Sequence, residues 1–363
     1  MHNIAEVKKG MVIKMRSSYS EDDVILLLKD ITGMVEPQPT EEREKLIQSG
    51  KHYCEMLPIE YVPTQKYMEV YQEALEKYSK ITAAAIGRLS EKIIQQKGQD
   101  VVLVSLARAG IPIGILIKRY IKYKYNIDVC HYSISIIRGR GIDDNAMKYM
   151  LKKHKPEQLL FVDGWIGKGA ILNELKKDIS AYEGVSADIA VVADPANVTE
   201  LCGTHDDILI PSSCLNSTVS GLVSRTFLRD DIIGKDDFHG SVYYGELKDS
   251  DLSYDFIHAI EQYFDADLEW KEEKVEGLGV DEVKKIAKEF DIDDINLVKP
   301  GIGETTRVLL RRVPWIVLID ENYKGNPILS HVVRLAEEKN VPIQYYPLKH
   351  YKCCGIIKKL ADA

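Results

Sequence analysis

Two runs of the chain gather an acid, cations and glycines at spacings suited to phosphate chemistry. Residues 159–171 read LLFVDGWIGKGAI, an apolar strand ending in Asp163 and followed by Gly164, Gly167 and Gly169. Amides freed by glycine can converge on one anion at a helix N-terminus, while Asp163 is placed for a sugar hydroxyl or a metal-bound diphosphate. Residues 101–117 repeat the plan, with Arg108, Ala109 and Gly110 after an apolar strand and Pro112 opening a helix. A P-loop is excluded, because Val162 stands where glycine is needed and Gly169 where Ser or Thr is needed. Between the two runs, Arg138, Gly139, Arg140 and Gly141 form a cationic arm, with a solvated basic turn as the plainer reading. A second chemistry is open to thiols. Cys214 follows a predicted strand in a Ser-rich loop, and His52, His131 and His205 lie elsewhere in the chain. A nucleophilic thiolate needs an imidazole or a helix N-terminus beside it; without one, a buried thiol is structural.

The elements that must position these groups follow from apolar runs. Strands are expected at residues 101–106, 128–137, 159–163, 187–194 and 206–213, separated by helical or loop segments. That alternation predicts an α/β, doubly wound parallel sheet. From Asn296 onward, strands and helices alternate again, predicting a separate C-terminal α/β sandwich. The expected division is 1–65 as an N-terminal hood segment, 66–245 as the sheet domain, 246–278 as an acidic linker and 279–363 as the C-terminal domain. Charge follows this division. Residues 246–295 hold seventeen acids against six lysines, while residues 296–363 hold eleven Lys plus Arg against six acids. The tail, at +5, carries by far the largest positive charge, so only the tail looks built for polyanions, an ordinary solvated surface being the alternative. With 363 residues and 45% hydrophobic content the chain can fill several cores. Its start lacks an apolar signal segment and no run is long enough to span a membrane, so a cytoplasmic location and no membrane partner are expected. The six cysteines show no CxxC spacing, no metal site is expected, and the thiols read as reduced.

The two glycine loops, in this order, resemble those of the type I phosphoribosyltransferases, which use phosphoribosyl pyrophosphate (PRPP). The resemblance implies that Arg108, Ala109, Gly110, Asp163, Gly164, Gly167, Lys168, Gly169 and Ala170 bind PRPP with its Mg²⁺. It gives catalytic roles to Arg138, Arg140 and Asp163, and acceptor contacts to His52, Tyr53, Glu55 and Trp165. The chain departs from the family pattern at Gly164, where a second acid is usual, and at Gly167, Lys168 and Ile171, where threonines are common.

Segments 43–63, 131–143 and 212–226 make the chain resemble, over nearly its whole length, a bacterial family linked to tellurium-resistance and stress operons. That family is described as phosphoribosyltransferase-like with a C-terminal Pelota-type RNA-binding domain, and also as the cysteine protease StiP. KPGIGETTR, residues 299–307, resembles the glycine-led loop of the kink-turn RNA-binding fold: Gly301, Glu304 and Arg307 match, and Gly303 replaces an asparagine. Lys299, Arg311 and Arg312 would add phosphate contacts to structured RNA. The expected function is transfer of phosphoribose from PRPP to an unidentified nitrogenous acceptor, with a homodimer left open. A cysteine protease using Cys214 and a non-catalytic PRPP-sensing RNA-binding regulator are the alternatives.

Overall fold

The computed structural model describes residues 15–272 and 274–357; residues 1–14 of the expected hood segment and 358–363 of the expected C-terminal domain lie outside them. Six strands form the main sheet: β1 (Ile25–Leu26), β2 (Val102–Leu106), β3 (Cys130–Ile134), β4 (Leu159–Trp165), β5 (Ile189–Ala193) and β6 (Cys202–Thr204). Their order is β1-β3-β2-β4-β5-β6, and every neighbouring pair is parallel. Strands β2 and β5 are buried along their whole length, as expected of parallel strands covered on both faces. The fold is thus mixed α/β around a parallel sheet.

Helices α1 (Gln65–Lys97) and α2 (Gly110–Tyr125) cover one face through Ile86, Leu89, Ile113 and Ile117, while α3 (Ala170–Ile179) covers the other through Leu172 and Leu175. The long α1 stops at Gly98, whose φ of 76° closes the helix in a conformation that favours glycine.

The expected fifth strand at 206–213 is not formed. The sheet instead ends in β6, and the chain then runs through a loop into the turn Pro211–Cys214. Two causes are local. Asp206 and Asp207 are drawn to Lys352 and to the backbone at Ile302, and Pro211 has no ladder donor. Strand β1, only two residues long, was too short to show any periodicity.

The C-terminal unit begins with α4 (Gly279–Glu289), then β7 (Val298–Pro300), α5 (Ile302–Arg311), β8 (Pro314–Asp320), α6 (Ser330–Glu338), β9 (Ile343–Tyr346) and β10 (Cys353–Ile357). Its sheet has the order β7-β10-β8-β9, with β10 antiparallel to both neighbours and β8 parallel to β9. It shares its core with the main unit, since Ile302, Leu309, Val317 and Val332 belong to the same apolar cluster as Ile86 and Ile113. Helix α1 anchors it further: Tyr67 Oη donates to Leu310 O and Tyr78 Oη to Ile328 O, both at 3.1 Å. Asp207 receives the free N–H of Ile302 at 3.0 Å and that of Lys352 at 2.8 Å, so an acid of the main unit caps a helix of the other. No helix among the described residues is long and apolar enough to cross a membrane.

Candidate functional site

The carboxyl ends of β2, β4, β5 and β6 present two separate places where chemistry is possible. The first is a cavity of about 280 Å³ between the main unit and the start of α5, lined by Arg108, Asp163, Trp165, Ser212, Asn216 and Arg307 among others. The second is an open cleft of about 890 Å³ beside His205, next to a water-sized recess of about 10 Å³ that touches Cys202.

At the first place, most of the residues expected from sequence meet protein partners. Arg108 pairs with Glu60 at 2.9 Å and donates to Val223 O at 3.1 Å. Ala109 lines the cavity, while at Gly110 a Cβ would overlap Val162 O, so this glycine lets helix α2 pack closely on β4. The Asp163 carboxylate accepts the N–H of Gly164 at 2.7 Å, and burial pushes its pKa up to about 6. Lys168, expected beside a phosphate, instead donates to Ile295 O and Val298 O at 3.0 Å each; burial and Lys299 push it down to about 8. Gly167 O accepts from Tyr351 Oη at 2.6 Å. Gly169 caps α3 at φ 82°, and Ala170 opens the helix. Trp165 packs against Gly301, where a Cβ would come within 2.7 Å of the indole, and its Nε1 is buried with no hydrogen-bond partner. The loop from 164 to 169 is therefore covered by the C-terminal unit.

The arm and the hood residues do meet. Tyr53 Oη accepts from Arg138 N at 3.1 Å, Glu55 pairs with Arg140 at 2.8 Å, and His52 lies against Gly139. Among the described residues no group of His, Cys, Asp or Glu could hold a metal, and Asp163 is the one carboxylate of its loop, so these residues do not fit a resident magnesium ion.

The residues expected to hold RNA are divided. Gly301 contacts Trp165; Glu304 and Arg307 line the cavity and pair at 3.1 Å; Arg311 donates to Cys214 O and Leu215 O. These four face the main unit. Burial lowers the pKa of Lys299, and Arg312 is exposed. The start of the glycine loop thus faces the main unit, while the Arg307 side chain stays 43% exposed.

Among the thiols, Cys214 is 1% exposed and burial pushes it up to about 12; Arg307 and Arg311 only partly oppose this. None of His52, His131 and His205 is its hydrogen-bonding partner. His131 instead bonds Ser105 Oγ at 2.7 Å and Asp23 O at 2.7 Å, sealed beneath Gly114, and burial pushes it down to about 4. His52 Nδ1 lies 2.9 Å from Cys54 Sγ, but burial pushes that thiol up to about 11, and among the described residues no acid is hydrogen-bonded to the ring.

Cys202 and His205 form a different arrangement, one that sequence reasoning did not assemble. Cys202 Sγ lies 3.4 Å from His205 Nε2. His205 Nδ1 is 2.9 Å from the backbone oxygen of Asp194 and 3.9 Å from its carboxylate. Because a carbonyl oxygen only accepts, Nδ1 carries the proton; the sulfur lies 3.7 Å from Nδ1 as well, against the ring face, so the imidazole must turn before its Nε2 lone pair meets the thiol. Asp194 is fixed in turn, its Oδ2 accepting from Val198 N at 2.6 Å and Thr199 N at 2.8 Å. Burial raises the pKa of the Asp194 carboxyl. Trp270 and Glu272 of the acidic linker close the recess, held by Trp270 Nε1 to Glu91 at 2.9 Å and by Lys92 to Glu272 at 2.7 Å. A sequence signal existed in the C-G-T-H spacing next to a strand ending in Asp194.

Residues 17–261 match the family model described as tellurite-like stress resistance cysteine protease StiP, and residues 277–359 match that of the PELOTA RNA binding domain. A protein of Acinetobacter baylyi named cysteine protease StiP is 34% identical over 366 residues, covering 94% of each chain. Solved structures give slighter likenesses. A hypoxanthine-guanine phosphoribosyltransferase of Leishmania tarentolae with GMP shares 12% identity over 34% of this chain and 71% of its own, with a TM-score of 0.26. The Bacillus anthracis enzyme of that type shares 15% over 40% of this chain and 75% of its own, with a TM-score of 0.23. Similarity at that level carries no inference about activity. The expected phosphoribosyl transfer is corrected by the family match and the curated relative, both of which name a cysteine protease.

Proposed function

The chain belongs to the StiP family, and from that premise we propose that it is a cysteine-dependent peptide hydrolase in which Cys202 is the nucleophile, His205 the base and Asp194 the orienting group. The observation that carries this reading is the contact of Cys202 Sγ with His205 Nε2, on a ring whose other nitrogen is held by Asp194. Such a thiol passes its proton to Nε2 and attacks a peptide carbonyl; the imidazolium then protonates the leaving amine, and water releases the acyl group. The sulfur lies 3.4 Å from Nε2 and 3.7 Å from Nδ1, out of line with the Nε2 lone pair, so the imidazole must rotate to take the proton, an alignment that substrate binding commonly completes. Because Cys202 is 1% exposed, a substrate must first displace Trp270 from the recess.

RNA binding by the C-terminal unit is part of the proposal, supported by the matched family model. The five longer strands of the main sheet, in chain order, run 2-1-3-4-5, a common doubly wound order that by itself fixes no chemistry. The division at 66–245, 246–278 and 279–363 remains the partition we propose. Hydrolysis of an unfolded protein such as casein tests the main reading. Loss of activity in Cys202→Ser with retention in Cys54→Ser supports it, and full activity in Cys202→Ser removes it.

A further inference from the structure

One wall of the open cleft beside His205 is made by the linker, which supplies Trp270, Glu272, Lys274, Val275 and Leu278. These residues lie outside any helix or strand, and Glu272, Lys274 and Leu278 are exposed. Trp270 belongs to no apolar core cluster among the described residues, yet it is held in place. Its indole N–H donates to Glu91 at 2.9 Å, the Lys92 ammonium lies 5.4 Å from the ring centroid, and the ring borders the recess that touches Cys202 and His205. Two residues on, Glu272 pairs with Lys92 at 2.7 Å. Farther along, the Asn197 amide donates to Val275 O at 3.0 Å and to Gly277 O at 2.8 Å.

The groups beneath the linker set what can replace it. Lys92, whose side chain is 9% exposed, meets Glu200 O at 3.3 Å and needs an acid besides, since a buried ammonium without a counter-charge is costly. Glu91 takes Lys124 at 2.6 Å and Tyr120 Oη at 3.2 Å on Oε1, so Oε2 is the oxygen that serves an aromatic donor. A pocket with a polar anchor, a charge at a fixed offset and an amide on the main chain are the means by which proteins read an extended peptide.

We propose that this cleft selects peptide segments carrying Trp or Tyr followed two residues later by Asp or Glu, and that Trp270 and Glu272 occupy the two subsites until such a segment displaces them. The inference rests on the reading of Cys202 as the nucleophile, because it sets the aromatic subsite against the reacting thiol. Phe fills the same ring space but leaves Glu91 Oε2 without its donor, and a site built around such a hydrogen bond discriminates against the analogue that lacks it. A segment tethered beside its own site has an effective concentration on the order of millimolar, so a separate peptide competes poorly until the tethered side chain is removed.

Fluorescence anisotropy of a labelled peptide with the linker's own sequence, LEWKEEKV, tests this on the full chain, with Cys202→Ser present throughout so that the probe stays intact. Adding Trp270→Ala is expected to tighten binding by about tenfold or more. In that background, replacing the peptide's Trp by Phe should weaken binding by about tenfold, and replacing the acid two residues after it by Gln by about threefold. Lys92→Gln should erase the second difference and keep the first. If Trp270→Ala fails to fold, Trp270→Leu vacates the same anchor. Equal affinity for the Trp and Phe peptides, or for a scrambled peptide, overturns the proposal and leaves the linker a packed segment of the fold. Casein hydrolysis that survives in Cys202→Ser is the separate failure of the nucleophile assignment, and it changes none of these binding differences.

Discussion

Cys202 and Cys214 are both 1% exposed, and both follow β5 in the chain, yet their surroundings differ in kind. Cys214 sits among apolar side chains with its backbone oxygen tied to Arg311, and burial, only partly opposed by Arg311 and Arg307, pushes its thiol up to about 12. Cys202 opens β6 at the edge of the sheet, and the turn after Thr204 brings an imidazole back onto the sulfur. Depth therefore does not distinguish a structural thiol from a chemical one. What distinguishes them is whether an imidazole lies against the sulfur, and of these two Cys202 has one.

The strongest way to break this comparison is to remove the base. His205→Asn is expected to lower peptide hydrolysis by about a thousandfold or more, with Asp194→Asn costing about ten- to a hundredfold because the ring keeps its backbone partner. Steady-state rates on casein check both, and activity in His205→Asn above a tenth of wild type would make the two thiols equivalent.

The next effect concerns the frame that carries both thiols. Asp207→Ala removes an acid that caps α5 and holds Lys352 N, and burial has raised its pKa to about 6. Loss of these charged hydrogen bonds is expected to cost about 3 kcal/mol of unfolding free energy, read by urea titration. Because the apolar core is continuous across the units, excised residues 279–363 should melt less cooperatively than the full chain.

A pH series sharpens the contrast between the cavity and the cleft. Asp163 has a folded pKa of about 6, above the ordinary carboxyl value of 3.8, so the native state holds its proton more tightly than the unfolded chain. Stability from this group is complete at low pH and is lost as pH rises from about 4 through 6. Asp163→Asn should therefore flatten that part of the melting profile and stabilise the protein near pH 8 by about 2 to 3 kcal/mol. The smallest effect belongs to Cys214→Ala, expected to cost about 1 kcal/mol in stability and to leave hydrolysis within about threefold of wild type.

Much of the sheet was legible in sequence, because strands β2, β4 and β5 are unbroken apolar runs between loops with glycine or acid at their ends. The meeting of the Arg138–Arg140 arm with Tyr53 and Glu55 was partly legible, since both segments stood out as polar and irregular. The Cys202 site was not. Strand alternation places residues three apart on opposite faces, and only the turn after Thr204 brings His205 back to the sulfur. The inward orientation of Gly301, Glu304 and Arg307 was equally hidden, because it depends on Asp207 and α1 fixing the C-terminal unit over the sheet edge. Local pattern shows which groups can do chemistry, and packing decides which of them face each other.

The most direct test is limited alkylation of the native full chain with iodoacetamide, followed by peptide mass spectrometry to find which cysteine is modified first. The account predicts Cys202 as the first site, with labelling abolished by His205→Asn, slowed by a linker that keeps Trp270 in place, and matched in time by loss of hydrolysis. Labelling of Cys214 or Cys54 ahead of Cys202, with hydrolysis lost in step, would contradict it.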